Sequence, residues 1–277
     1  QLECPGGDDE VVLSFQTIED ARKILAASHG AAVTVGGGFI ALEFIMSFAH
    51  LGAPVTAILR GDGFFSRVLD KASSRMLATH MEGNGVTLVR RAEVKTIERR
   101  GLSRAVHLST GAEISAEAVG VGVGLVPNIG FLKGSGLATA RGVIVDSRLR
   151  SSVDGVYSAG DVAEFADELT GERRMVGNWT NALLQGKFAG MQMTGADEPF
   201  RAVTSYAITC FGLSVMFLGA TDLMPESRII RESDGTTVQF FIRRGAVVAA
   251  TCVGPFSERA AAIKMIEREF APDAKTV

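Results

Sequence analysis

Cysteine and histidine are scarce in this sequence, and neither is arranged in a pattern through which it usually does chemistry. The three thiols, Cys4, Cys210 and Cys252, are far apart and form no C-x-x-C, C-x₄-C or zinc-type spacing. That argues against a redox dithiol or a zinc site within the chain. Thiols without a disulfide framework suit a reducing compartment, so the expected location is cytoplasmic. Charge of one sign is not in excess either. Lys and Arg number 28 against 31 Asp and Glu, a net charge of −3, so no global field draws the chain to nucleic acid. One local cluster, Arg90, Arg91, Arg99, Arg100 and Arg104, flanks alternating strand-like segments and reads as a solvated hairpin face. Long apolar runs are missing too. The nearest, Ala207 to Ala220, is interrupted by Gly212 and Gly219 and reads as two short strands, so no membrane association is expected. The chain opens on Gln1 with no charged-then-apolar leader after it, and it holds no internal repeat or low-complexity tract.

What is present is apolar residue and glycine. At 277 residues and 47% hydrophobic, the chain can bury two or three ordinary cores. Its organising stretch is Val33-Thr-Val-Gly36-Gly37-Gly38-Phe39-Ile40-Ala41-Leu42-Glu43-Phe44. β-Branched residues run into three glycines, and Leu42, Ile45, Phe48 and Leu51 follow at helical spacing. Strand, glycine turn and helix form the context in which G-x-G-x-x-G/A reads as a dinucleotide site rather than a plain βα turn. Gly36 permits the tight turn, Gly38 lets the backbone approach a pyrophosphate, and Ala41 is small enough for helix and strand to pack closely. The helix N-terminus, at Phe39 and Ile40, then faces the anion.

Around that unit the pattern predicts an α/β fold. Val11 to Phe15 reads as a short strand, and Thr17-Ile-Glu-Asp20 as a capping box starting a helix to about Ala27. Strands are expected at 31–35, 55–59 and 86–89, with helices at about 39–51 and 67–81, ended by Gly52 and by Gly83-Asn-Gly85. From Ala92 to Ala116 the period changes to two, with turns at Gly101 and Gly111: an antiparallel meander. Ala118 to Gly124 returns as an apolar strand ending in Gly124-Leu-Val-Pro-Asn128. Beyond Pro199, strands at 203–211, 213–219, 227–232, 236–243 and 245–253 and a helix near 257–269 make a separate α+β domain.

A second informative stretch runs from Gly142 to Asp161. The apolar run Val156-Tyr-Ser-Ala159 leads into Gly160-Asp161, which predicts a carboxylate at the carboxyl end of a strand, where ligands of open α/β sheets bind. Alone, Gly-Asp after a strand is a common turn. A helix over about 179–194 follows.

Taken together and in this order, these stretches resemble the FAD-dependent pyridine nucleotide-disulfide oxidoreductases. Val33 to Glu43 looks like that family's nicotinamide-nucleotide motif, and Gly120 to Asn128, with Gly124, like the return of the chain to the FAD domain. Val156 to Asp161 resembles the second FAD motif, whose Gly160 and Asp161 would meet the ribityl and pyrophosphate region. Gly177-Asn-Trp-Thr-Asn-Ala182 resembles the helix start beside the flavin, with Trp179 and Ala182 as contacts. The resemblance implies the end of an N-terminal FAD segment at 1–16, a Rossmann-like NAD(P)H domain at 17–126, a partial FAD-binding domain at 127–197 and a C-terminal α+β interface domain at 198–277.

Three departures from the family pattern bear on function. The opening G-x-G-x-x-G that binds the ADP part of FAD is not in this sequence, so weak FAD binding by this chain alone is expected. The C-x₄-C pair belongs to that same segment. The branch with a catalytic histidine near its C-terminus is not matched, since His29, His50, His80 and His107 all lie early. A dithiol mechanism is therefore not expected. The implied branch passes electrons from flavin to an outside acceptor, a small molecule or a redox protein, as rubredoxin- and ferredoxin-reductase-like proteins do.

After the second Rossmann strand the chain has Leu59 and Arg60 where an acidic residue would hold a ribose 2′-hydroxyl. A guanidinium there suits a 2′-phosphate, and Arg67 is a candidate second contact, so NADP(H) is favoured over NAD(H). Two surface arginines on a loop are the alternative. Glu43 is the candidate catalytic residue: the resemblance places it where it would orient the nicotinamide, against the alternative of an ordinary helix carboxylate. The functional expectation is a flavin-dependent oxidoreductase, or a fragment of one, and the alternative is a flavin-free NADP(H)-binding module. A homodimer through the C-terminal domain is expected from apolar stretches such as Val215-Met-Phe-Leu218, with burial inside the monomer as the alternative.

Overall fold

The computed structural model describes residues 2–27, 30–233, 235–255 and 259–269. The chain divides into two compact units, one of residues 1–124 with 208–214, the other of 125–207 with the chain from 215 onward.

The first unit is a Rossmann-like layer. Its elements are β1 (Val12–Leu13), α1 (Ile18–Ala26), β2 (Ala32–Val35), α2 (Phe39–His50), β3 (Val55–Leu59), α3 (Lys71–Gly83), β4 (Thr87–Arg90), the meander β5 (Val94–Arg100), β6 (Ser103–Leu108) and β7 (Glu113–Ala116), and β8 (Ala118–Val121). A parallel five-stranded sheet has the order β1-β8-β2-β3-β4. All four residues of β2 are buried, as expected for a strand covered on both faces. The capping box forms as read: Thr17 accepts from the Asp20 amide, and the Asp20 side chain accepts from the Thr17 amide. Gly52, at φ +81, follows α2.

The helix expected from 67 begins at Lys71 instead. Asp70 accepts hydrogen bonds from the amides of Ala72 and Ser73 and so fixes the N-cap. Val68 and Leu69 belong to the preceding turn, where both amides donate to the Phe65 carbonyl.

The meander turns at Gly101 and Gly111, both at positive φ. Val94, Ile97, Val106 and Leu108 share one core with Val33, Val35, Ile58 and Val119 of the parallel sheet. The arginine cluster is solvated except at one member. Arg90, Arg91, Arg99 and Arg100 pair with Glu82, Asp62, Glu10 and Glu113. The Arg104 side chain is only 2% exposed and pairs with Asp9 at 2.8 Å and Glu10 at 3.2 Å.

The second unit opens with β9 (Val143–Val145), β10 (Ala163–Asp167), β11 (Glu172–Arg174) and α4 (Trp179–Met193). β9 and β10 are parallel, and β10 and β11 form a hairpin. Val143, Val145, Phe165, Val176, Ala189 and Phe200 form its core. Five further strands, β12 (Ser205–Cys210), β13 (Leu213–Gly219), β14 (Ser227–Ser233), β15 (Thr236–Arg243) and β16 (Ala246–Val253), make a sheet of order β12-β13-β16-β15-β14, of which residues 208–214 group with the first unit. On it lies α5 (Arg259–Glu269), whose Ala262 and Ile266 pack with Leu218, Phe240 and Ala250. Residues 257–258 of the expected last helix, like His29, lie outside the described residues.

Two expectations are corrected here. Val156 to Ala159 is not a strand. It runs into a 3-10 turn at Gly160–Val162, and β10 begins only after it. Asp161 therefore precedes a strand rather than ending one. Val215, Phe217 and Leu218 are buried at 0–1% exposure, and Met216 packs beside the core of Leu218 and Phe240, so this stretch offers no exposed apolar face. Among the described residues, no helix is long and apolar enough to cross a membrane.

Candidate functional site

The glycine turn joins β2 to α2 at the carboxyl end of the parallel sheet. Gly36 has φ +121, and its amide donates to the Ile58 carbonyl. A Cβ there would lie 2.2 Å from the Gly122 carbonyl oxygen, so only glycine fits. Gly37 lies against Leu59 and Gly63. Gly38 differs: a Cβ on it would meet no atom within 4 Å. Gly38 is also the N-cap of α2, and no side chain caps that helix. An open backbone surface at an uncapped helix N-terminus suits a pyrophosphate. Phe39 and Ile40 open the helix, and Ala41 is fully buried against the end of β8.

The loop after β3 is tied to this turn. The Phe65 amide donates to the Gly37 carbonyl at 2.8 Å, and the rings of Phe65 and Phe39 lie 4.7 Å apart. Phe64 is fully buried, and its carbonyl accepts from the Ser74 hydroxyl. Arg60 and Arg67 flank this anchored loop, both exposed, and neither makes an ion pair with a described residue. Their neighbours Arg90 and Arg91 are neutralised by carboxylates. The two arginines thus offer positive charge beside the glycine turn, as a phosphate requires.

Glu43 is exposed on α2, one turn from the glycines. Burial, with the Glu43 charge added, pushes the Cys210 thiol up to about 12. The Nε2 atom of His80 on α3 lies 3.1 Å from the carbonyl oxygens of both Cys210 and Phe211, within the same unit. Gly124, at φ +117, is exposed at the end of this unit.

The other candidates gather in the second unit. The 3-10 turn Gly160–Val162 packs against the start of α4. Gly160 has φ +80, and its amide donates to Gln185 Oε1 at 2.8 Å. A Cβ on Gly160 would come within 3.3 Å of the Ala182 Cβ. The Asp161 carboxylate is exposed, and a Cβ on Gly177 would lie 3.4 Å from its Oδ2. Asn178 caps α4 by accepting from the Asn181 amide, and Trp179, the first helical residue, is 79% exposed. Around this turn, Asn178 Nδ2, Asn181 Oδ1 and Gln185 Nε2 are buried atoms with no hydrogen-bond partner among the described residues. Orphaned donors and an acceptor beside a free carboxylate fit a polyhydroxylated, phosphate-bearing ligand such as FAD.

The candidate residues therefore form two groups, Gly36 to Ala41 with Arg60, Arg67 and Glu43 in one unit, and Gly160, Asp161, Trp179 and Ala182 in the other. Sequence reasoning included Gly120 and Gly122 in the stretch Gly120 to Asn128 but missed their close packing against α2, and it missed the anchored Phe64-Phe65 pair. A Cβ on Gly120 would lie 2.5 Å from the Phe44 ring. The legible signal was glycine at alternate positions in an apolar strand, which marks close approach of another element.

The chain is similar in sequence and in fold to known proteins. A nitrite reductase [NAD(P)H] of Bacillus subtilis is 27% identical over 97% of this chain, which corresponds to 33% of that protein. The ferredoxin reductase subunit of a 5,5'-dehydrodivanillate O-demethylase from Sphingobium sp. is 31% identical over 91% of this chain and 63% of its own length. The chain thus spans between a third and less than two-thirds of these two relatives. The fold is that of a ferredoxin reductase from Rhodopseudomonas palustris, with a TM-score of 0.85 at 23% identity over 99% of this chain and 70% of that one. The family model described as pyridine nucleotide-disulphide oxidoreductase matches residues 1–186, and the chain belongs to that family.

Proposed function

We propose that this chain belongs to a flavin-dependent oxidoreductase that takes reducing equivalents from NADPH and delivers electrons to an external acceptor, a small molecule or a redox protein. The observation that carries the reading is the open surface at Gly38, with the loop tied to the glycine turn flanked by two arginines that make no ion pair among the described residues. The backbone at Gly38 and the N-terminus of α2 hold the pyrophosphate. Arg60 and Arg67 take the 2′-phosphate, which favours NADP(H) over NAD(H). Glu43 orients the nicotinamide through its carboxylate. Asp161 accepts hydrogen bonds from ribityl hydroxyls, while Trp179 and Ala182 border the ring system. FAD, when bound, supplies hydride acceptance and onward single-electron transfer. No side chain is asked to act as nucleophile, and the polypeptide's share is binding, orientation and exclusion of water.

An absorption spectrum of the chain with FAD added in excess, because this chain alone is expected to hold it weakly, followed by NADPH titration, tests this. Flavin bands that bleach with NADPH are the expected result. NADPH binding without any flavin uptake would instead support a binding module.

A further inference from the structure

Phe65, in the loop after β3, has φ +48, a left-handed conformation that bulky L-residues seldom adopt. It is held there from both sides. Phe64 is fully buried, and its carbonyl accepts from the Ser74 hydroxyl at 3.1 Å. A Cβ on Gly63 would lie 2.3 Å from the Ser74 Oγ, so the loop runs tightly over the start of α3. The Phe65 carbonyl accepts from the amides of Val68 and Leu69 at 2.8 and 2.9 Å, while its own amide donates to the Gly37 carbonyl at 2.8 Å. Turning φ to the ordinary helical value would swing that amide by about 110° relative to the carbonyl, and one of the two anchors would be lost.

A trans peptide carries its C=O and N–H on opposite sides. The Gly37 carbonyl is held toward the Phe65 amide, so the N–H of Gly38, in the same peptide plane, is turned away from the loop. That N–H has no acceptor among the described residues. It stands at the N-cap of α2, where a Cβ on Gly38 would meet nothing within 4 Å. We propose that Phe65 is a positioning residue for the nucleotide: its left-handed backbone holds the Gly37–Gly38 peptide in the orientation that presents the Gly38 amide to the pyrophosphate. The inference rests on the nucleotide reading above and names the residue that shapes its anion site. The Phe65 ring has a lesser part. It lies 4.7 Å from the ring of Phe39, which ties the loop to α2 but sets the direction of no amide. The strained backbone thus has a use at the site, in the direction of one N–H.

Calorimetric titration of the full chain with NADP+ and with adenosine 2′-monophosphate, which carries the 2′-phosphate but no pyrophosphate, tests this. Phe65→Val disfavours the left-handed region through its branched Cβ. It should raise the Kd for NADP+ about fivefold or more and keep that for the 2′-monophosphate within about twofold. Phe65→Gly loses the ring but adopts φ +48 freely, and should keep both constants within about twofold of the unsubstituted chain. A second readout needs no variant. With isotope-labelled glycine in the unsubstituted chain, the Gly38 amide proton should move downfield on saturation with NADP+ and stay in place with the 2′-monophosphate. Equal losses for Phe65→Val and Phe65→Gly, equal losses for the two ligands, unchanged NADP+ binding in Phe65→Val, or a Gly38 amide that NADP+ leaves in place would overturn the proposal. If the unsubstituted chain binds neither ligand, the nucleotide reading itself fails and this inference with it.

Discussion

A Cβ added to Gly122 would stand 2.4 Å from the amide nitrogen of Ala41 and 2.9 Å from its Cα. The chain leaving β8 thus meets the first turn of α2 backbone to backbone, and both residues must be small for the glycine turn to keep its shape. Gly122→Ala is expected to push α2 outward, to cost about 1–3 kcal/mol as overpacking does, and to abolish NADPH binding. Gly38→Ala is the contrasting case. Its φ is −104, and the added methyl meets nothing within 4 Å. It should leave thermal stability nearly unchanged, yet weaken NADPH because the methyl occupies ligand space. Thermal melts and NADPH fluorescence titrations of the two variants separate these effects.

Much of this site was legible because its signals are local. Val33 to Phe44 encodes strand, turn and helix within twelve residues, and Thr17 to Asp20 its own cap. The strands at 213–219 and 236–243 have the bounds that their alternation predicts. What was not legible depends on partners distant in sequence. Arg104 looks like a surface charge until Asp9 and Glu10 arrive beside it. The β10–β11 hairpin ends in Glu172-Arg-Arg174, which carries no apolar signal. Arg174 is nonetheless buried, paired with Asp167 at 2.5 Å and Asp222 at 2.6 Å. Val215 to Leu218 looks exposed in sequence because its cover, β16 and the core under α5, is supplied from more than thirty residues away.

Arg60 and Arg67 make the choice of nucleotide testable. Each charge-assisted contact to a phosphate contributes about 1.5–3 kcal/mol. Arg60→Ala is expected to raise the Kd for NADPH about tenfold or more and to leave that for NADH unchanged, with Arg67→Ala acting in the same direction. Fluorescence titration with both nucleotides measures this. Equal losses for NADPH and NADH would show that neither arginine reads the 2′-phosphate.

The cysteines should be nearly inert in the folded protein. Cys210 and Cys252 are buried, and burial pushes their thiols up to about 12 and about 11. Cys4 is half-buried, and its thiol is also raised by burial. At pH 8 only a small fraction of any of them is thiolate, the reactive form. Labelling with iodoacetamide at that pH is expected to be slow at Cys4 and negligible at the other two. All three should react on denaturation, as peptide mass mapping would show.

Acid should loosen the attachment of the N-terminal turn. The guanidinium of Arg104 hydrogen-bonds the Asp9 carboxylate and holds its pKa below the ordinary value. A carboxyl depressed in the folded state contributes stability above its unfolded pKa, about 4, and loses it as pH falls through the folded value. Asp9→Asn should therefore lower the melting temperature at pH 7 and flatten its fall below about pH 4 relative to the unsubstituted chain. Asp20, whose pKa is also depressed, first by the hydrogen bond from the Gln16 amide and then by those of Ser14 and Thr17, contributes equally to both proteins and cancels in the comparison. Arg104→Ala removes the buried partner and should cost about 2 kcal/mol at neutral pH. Its effect should shrink as Asp9 becomes protonated. A melting-temperature difference between Arg104→Ala and the unsubstituted chain that stays constant down to pH 3 would mean that the arginine acts through packing rather than through its charge.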